Sequence, residues 1–292
     1  MNPRLILNFI LLLVIVTLVL IAYFQPGVEK PVASVPLLII APADINRIGI
    51  MPAAKQGIIF EKEGADWRII DPINARANKF RIESMLQLAR TSIHKQYNVT
   101  QSDLEKFKLA EPLGVIQLNG IKIAFGDSES INSRRYVMID GKVYLITDNY
   151  FHYLHIDLAS YIDTLLLPPQ SRIVAIELPD LTIKAADADR WSVSPEHPEL
   201  PADAVQILLD EWRDVQALRV SRYQGDKAQG KIRITLDNQS TPLDFQILAR
   251  EPEFILGHED TGMRYHFSDG QARRLMQLSI ENQQPQDDAP IE

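Results

Sequence analysis

The 292-residue chain contains no cysteine. That absence excludes disulfides, thiol nucleophiles, iron–sulfur clusters and thiolate zinc sites. A basic excess is missing too. Thirty Lys and Arg against 38 Asp and Glu leave a formal charge of −8, the wrong sign for a nucleic-acid footprint. Motif chemistry is equally sparse. There is no Gly-x-Ser-x-Gly nucleophile elbow, and Gly126-Asp127-Ser128 lacks the glycine neighbours of a phosphate loop. No catalytic residue, cofactor-binding residue or metal ligand is assigned from the sequence, and the chain is expected not to be an enzyme.

What the chain does have is a long apolar run. Leu5–Phe24 spans 20 residues without a charge, interrupted only by Asn8 and Thr17. Twenty helical residues rise about 30 Å, the thickness of a bilayer's hydrocarbon core. A cleaved signal peptide has a shorter apolar stretch and a small-residue exit, whereas this run ends in Ala22-Tyr23-Phe24-Gln25-Pro26. A long signal peptide and a buried core helix are the alternatives. The expectation is an uncleaved single-pass anchor that contacts the lipid bilayer through residues 5–24. Arg4 and the free amino group precede it, while Glu29 and Lys30 cancel after it. The positive-inside bias then puts the N-terminus in the cytoplasm and the rest in the periplasm of a bacterial inner membrane.

Residues 25–43 carry Pro26, Pro31, Pro36 and Pro42 and read as a linker. The apolar patch Pro36-Leu-Leu-Ile-Ile40 suggests a strand docked on the domain, or else a membrane-partner contact.

Two segments then share one grammar. Ile45-x-x-Ile48-x-Ile50 is followed by strands at Ile58–Phe60 and Asp66–Ile70, then by a helix carrying Ile82, Met85, Leu86, Ala89 and Ile93. Ile173-x-x-Ile176-x-Leu178 is followed by Leu181–Ile183 and Arg190–Val193, then by a helix from Pro201 carrying Val205, Leu208, Leu209, Trp212 and Val215. Trp67 and Trp191 stand 124 residues apart. Four alternating runs follow each helix. Asn119-Gly120 and Asp140-Gly141 mark hairpin turns in the first copy, and Asp260-Thr261-Gly262 marks one in the second. A short helix closes each copy. The expected fold is α+β: after the transmembrane helix, two tandem repeats at 44–166 and 171–280, each a mostly antiparallel sheet with an amphipathic helix packed on one face. Residues 281–292 read as a disordered acidic tail.

Several of these residues recur in one family. The opening Ile-x-x-Ile-x-Ile strand, the Trp-x-Ile strand before a proline, and the Pro-Ala-Asp helix start are three of its elements. Phe107-Lys-Leu109-Ala-Glu-Pro112, the strand ending Phe125-Gly126-Asp127, and Tyr136-Val-x-x-x-Gly141 are three more. In this order they resemble the DUF4340 family of unknown function, well over 44–165 and more loosely over 172–278. The second copy departs from it, with Ile247-Leu-Ala249 where the first has Phe-Gly-Asp. The resemblance implies a membrane-tethered accessory or scaffold subunit of a membrane complex, of the kind that accompanies ABC-type transporters. An integral membrane protein would be its partner, and no cofactor is implied. The alternative is an envelope enzyme, or a glycan- or lipid-binding module, using the groove between the repeats.

Few side chains suggest chemistry. His152 and His155, with Asp157, are spaced to share a helical face and a metal, but read more readily as a packed domain edge. His258-Glu259-Asp260 and His266 are a conceivable acid–base group, or a solvated turn. The carboxylate pairs Asp187/Asp189 and Asp287/Asp288 read as solvated charge. Arg134-Arg135 reads as a solvated hairpin base rather than an anion contact. Trp67 and Trp191 read as matched core residues, and Trp212 as a candidate for the interface between the copies.

Overall fold

The computed structural model describes residues 9, 11–17 and 35–278, apart from 130–131, 188–189, 197–199, 202, 224 and 238. Residues 9 and 11–17 are helical and exposed. No helix among the described residues is long and apolar enough to cross a membrane. The rest of the expected anchor, Asn8 included, lies outside the described residues, as does the tail at 281–292.

Two antiparallel sheets dominate. The first half supplies β1 (Arg47–Pro52), β2 (Ile58–Glu63), β3 (Asp66–Asp71), the two-residue β4 (Ala75–Arg76), α1 (Lys79–Leu86), β5 (Ile93–Tyr97), α2 (Gln101–Lys106), β6 (Gly114–Leu118), β7 (Ile121–Ser128), β8 (Arg134–Ile139) and β9 (Lys142–Thr147). The second supplies β10 (Ile173–Leu178), β11 (Leu181–Asp187), β12 (Arg190–Ser194), α3 (Ala204–Asp214), β13 (Arg219–Arg222), β14 (Gly230–Leu236), β15 (Leu243–Ala249), β16 (Phe254–His258), β17 (Met263–Phe267) and α4 (Asp269–Met276). The strand orders are β4-β3-β2-β1-β6-β7-β8-β9-β5 and β12-β11-β10-β14-β15-β16-β17-β13. Leave out β4 and the two orders coincide strand for strand. The duplication read from spacing is therefore a duplication of topology.

Local chemistry explains much of this. Asn119 and Gly120 both have positive φ, as do Asp140 and Gly141. These are the conformations that a two-residue hairpin turn demands. Asn119 also ties the turn to the start of β1, accepting from the backbone N–H groups of Asn46 and Arg47 at 2.8 and 3.1 Å. Alternation along the strands buries one face: Ile232, Ile234 and Leu236 of β14 are inside, and Lys231 and Arg233 are outside.

The first helix is shorter than its periodicity suggested. It ends at Leu86, a 3-10 turn covers Gln87–Arg90, and Ile93 opens β5. The strands β5 and β13 were not read from the sequence. Each returns after its helix to flank the last strand of its sheet, β5 on β9 and β13 on β17. Both are edge strands without a fully buried side chain, so neither shows the alternation that marks a half-buried strand. The second helix begins at Ala204, three residues after Pro201.

The apolar patch before β1 docks on the first copy. Leu37 N–H and Leu38 N–H donate to the carbonyls of Thr91 and Ala89 at 2.8 and 2.9 Å, and both side chains are buried, while Ile39 is fully exposed. Trp212 is wholly buried and donates through Nε1 to the Leu275 carbonyl of α4 at 2.8 Å. It thus joins the two helices of the second copy and does not face the first.

Candidate functional site

The segment joining the sheets is pinned from both sides. Asn78 N–H donates to Tyr161 O at 2.7 Å, Asp163 N–H to Arg76 O at 3.0 Å, and Ala217 N–H to Thr164 O at 2.9 Å. Arg76, the last residue of β4, donates through Nη1 to the Leu167 carbonyl at 2.6 Å and through Nη2 to the Leu165 carbonyl. Its guanidinium lies 3.7 Å from the Asp163 carboxylate. Burial pulls the Arg76 pKa down and Asp163 opposes that shift. The guanidinium therefore binds the join to the first sheet.

Around this join lies a cleft between the copies, of about 240 Å³. Arg68, Arg76 and Asp163 line one side, and His258, Asp260 and Tyr265 the other. The expected groove between the repeats exists, and polar groups converge on it. Most are already engaged. Arg68 donates twice to Asn74 Oδ1, at 3.0 and 2.6 Å. His258 packs edge-on against Phe245 with its Nδ1 near Thr261 Oγ1, and burial lowers its pKa. Burial pushes the Tyr265 phenol up to about 12, so it stays protonated.

The histidine pair does not form a metal site. His152 lies against the Tyr153 ring, His155 meets the edge of Phe151, and Asp157 turns to Arg222 at 3.7 Å. Among the described residues no three His, Asp or Glu side chains are grouped to hold a metal. Asp187 closes β11, while Asp189, Asp287 and Asp288 lie outside the described residues. Asp127 pairs with Lys108 at 2.8 Å, and that ammonium holds its carboxyl below the usual range. Arg135, read as solvated, is buried instead. It donates to Gly126 O at 2.6 Å, pairs with Asp148 at 2.8 Å and lies 3.5 Å over the Phe151 ring. A charge in a hairpin reads as exposed until its partners, 9 to 16 residues away, are known.

His266 belongs to no solvated turn. It is buried on β17, with Nδ1 2.9 Å from Glu253 Oε2 and Nε2 2.8 Å from Ser221 Oγ. Burial lowers its pKa, so the ring is neutral at pH 7, Nδ1–H donating to Glu253 and Nε2 accepting from the Ser221 hydroxyl. This is the order of a nucleophile, base and orienting carboxylate. However, Ser221 Oγ also accepts from Arg264 Nε at 2.9 Å, and Arg264 is fixed by Asp226 at 2.8 Å. The serine thus sits inside a closed network that holds edge strand β13 to β17, and the cleft between the copies does not open onto it. Sequence reasoning could not assemble this array, because Ser221 lies on β13 and Glu253 in the bend before β16, and neither carries a motif.

A family model described as a domain of unknown function, DUF4340, matches residues 67–239, more than half of the chain. The match starts at Trp67 in the first copy and ends in the second, crossing the join. No curated protein and no solved structure matches the chain.

Proposed function

This chain belongs to the DUF4340 family, and from that premise we propose that it is a non-enzymatic accessory or scaffold subunit of a membrane complex. In this reading residues 5–24 anchor it in a bacterial inner membrane, the N-terminus is cytoplasmic, and the two sheets stand in the periplasm beside an integral membrane partner, an ABC-type transporter being the first to test. One observation carries the reading: the apolar 20-residue run precedes a duplicated antiparallel body whose polar clusters are spent on holding its own strands and join together. Such groups are poorly placed to move protons on a substrate, because a catalytic acid or base must be within reach of the reacting atom.

The second reading, an envelope module that binds a glycan or lipid between the copies, draws support from the polar cleft around Arg76 and His258. At about 240 Å³ that cleft falls below the roughly 300–1,000 Å³ of ordinary ligand sites. The accessory reading therefore stands first.

Purification of the full-length protein from its native membrane in mild detergent, with mass spectrometry of what stays bound, tests it. A stoichiometric integral-membrane partner, lost when one repeat is deleted or Met1–Phe24 is exchanged for an unrelated anchor, is the expected result. Recovery of the protein alone, under conditions that preserve known complexes, would overturn the reading.

A further inference from the structure

The segment that leads into the first copy is laced to one corner of its sheet, at the start of edge strand β5. Ile93 N–H donates to the Val35 carbonyl at 3.0 Å, Pro36 bridges to Ser92, and Leu37 N–H donates to Thr91 O at 2.8 Å. Leu37 and Leu38 turn inward, while Val35 and Ile39 turn out. Ile39 is the most exposed large apolar side chain among the described residues, at 102 %, and Val35 is 63 % exposed. A single exposed aliphatic residue needs no explanation. Here two stand on one five-residue segment, with Pro36 exposed between them.

The same corner is basic. Arg90 is exposed in the turn whose Ala89 carbonyl accepts from Leu38 N–H. Lys95 is exposed on β5, its ammonium 4.7 Å from the centre of the Tyr97 ring. Arg134 of β8 stands opposite Thr147 of β9, whose hydroxyl meets His94 Nε2 of β5 at 2.9 Å. Glu129 N–H donates to the Arg134 carbonyl at 2.7 Å, but no ion pair among the described residues engages Arg134, Arg90 or Lys95. These cations stand without a counter-charge in a chain whose formal charge is −8.

Chain length indicates what faces this corner. On the anchored reading proposed above, on which the corner's role rests, the apolar run ends at Phe24 and only residues 25–34 separate it from Val35. Eleven Cα steps reach at most about 40 Å at full extension. Covalent bonds then hold the corner within that distance of lipid, whatever path the linker takes. Confinement of this kind populates a contact too weak to hold a free protein. Apolar side chains beside Lys and Arg are what an interfacial contact uses. The first enter the boundary between headgroups and acyl chains, and the second meet anionic headgroups.

We propose that this corner of the first copy lies on the bilayer beside the anchor, with Ile39 and Val35 in the headgroup region and Arg90, Lys95 and Arg134 against anionic lipid headgroups. The first sheet is thereby seated on the membrane by its β5 corner and does not swing freely on the linker.

The absence of cysteine makes the test clean, because one introduced thiol carries the only label. Full-length Ile39→Cys, and Ile207→Cys on α3 of the second copy as an exposed control, would each be labelled with a polarity-sensitive fluorophore and reconstituted into vesicles without any partner protein. The vesicles contain phosphatidylcholine with about 30 % phosphatidylglycerol, or phosphatidylcholine alone, and brominated lipid serves as quencher. In the anionic vesicles the Ile39→Cys label should shift to the blue and be quenched at least ~3-fold more strongly than the Ile207→Cys label. Arg90→Gln with Lys95→Gln should lower the ratio of lipid-bound to free corner ~10-fold or more, since each basic side chain near an anionic surface contributes to attachment. Flotation with the vesicles checks the anchor separately. A protein that does not float would overturn the anchored reading and the proposal with it. A protein that floats with its Ile39→Cys label unquenched would overturn the proposal alone and give the corner to a protein partner. Equal quenching at the two positions, or full quenching in phosphatidylcholine alone and in the double variant, would also overturn it.

Discussion

Gly126 lies directly under the backbone of Phe107: a β-carbon on it would stand 2.8 Å from Leu109 Cγ and closer still to the Phe107 carbonyl oxygen. That same carbonyl accepts from Asp127 N–H at 2.8 Å, and the Phe107 ring stacks on Tyr136 at 4.2 Å. Phe107–Pro112, Phe125-Gly126-Asp127 and Tyr136-Val137, three separate elements of the family resemblance, are thus one packed unit. Gly126→Ala should push this backbone away and cost about 1–3 kcal/mol, the usual range for overpacking a tight site. Urea unfolding of the variant against wild type measures it, and an unchanged midpoint would show that the loop yields freely.

Legibility in the sequence follows from how local the determinant is. The hairpins at Asn119-Gly120 and Asp140-Gly141 were readable because two adjacent residues with positive φ decide them. The duplicated order of strands and helix was readable because one face of each element is buried. Edge strands β5 and β13 were not, since their Ile-His-Lys-Gln-Tyr and Arg-Val-Ser-Arg segments pair on one side only and show no alternation of buried and exposed side chains. The cleft between the repeats was foreseen as a place but not as a set of residues. The environments of Arg135, His266 and Trp191 depend on partners from other strands, and no spacing rule in one chain reaches that far.

The paired tryptophans were expected to be equivalent, and their burial separates them. Trp67→Ala removes a side chain from the closed core of the first copy and should cost about 3–5 kcal/mol. Trp191→Ala trims the wall of an open cavity and should cost clearly less, below about 3 kcal/mol. Denaturant midpoints of the two variants, compared at a common slope, decide this. Equal losses would mean that Trp191 carries as much packing as its counterpart.

Arg76 holds the join through two carbonyls and one carboxylate. Arg76→Met keeps the apolar stem but leaves the Leu165 and Leu167 carbonyls and Asp163 without their donor. A loss of about 1.5–3 kcal/mol is expected, the range for hydrogen bonds to a charged group. The more specific readout is limited proteolysis. Cleavage between Asp163 and Gln170 should quicken in the variant at temperatures well below its melting point, because local opening at the join becomes easier. Unchanged protection there would mean that other contacts, such as the packing of Tyr161 against Phe60, hold the joining segment to the first sheet without Arg76.

Finally, the His266 network makes stability fall with acid. Burial sets the folded pKa of His266 below its ordinary value, against the opposing pull of Glu253, while Arg219 on the neighbouring β13 and Arg264 on β17 itself add to the lowering. The unfolded chain, with histidine pKa near 6.5, therefore takes up the proton first. The stability tied to this group is complete above about pH 6.5 and is lost as pH falls through that value towards the folded pKa. Glu253, whose carboxyl His266 and then Arg219 hold below its usual range, adds a second loss of the same sign at lower pH. Urea midpoints measured from pH 7.5 to 5.5 should decline. His266→Gln can keep one neutral contact and cannot titrate, so its decline should be shallower than that of wild type, the remainder coming from His94, His152 and His258, which burial shifts in the same direction. Parallel declines in the two proteins would show that the ring's proton is not coupled to folding, and that Ser221 and Glu253 hold β13 and β17 together whatever its charge.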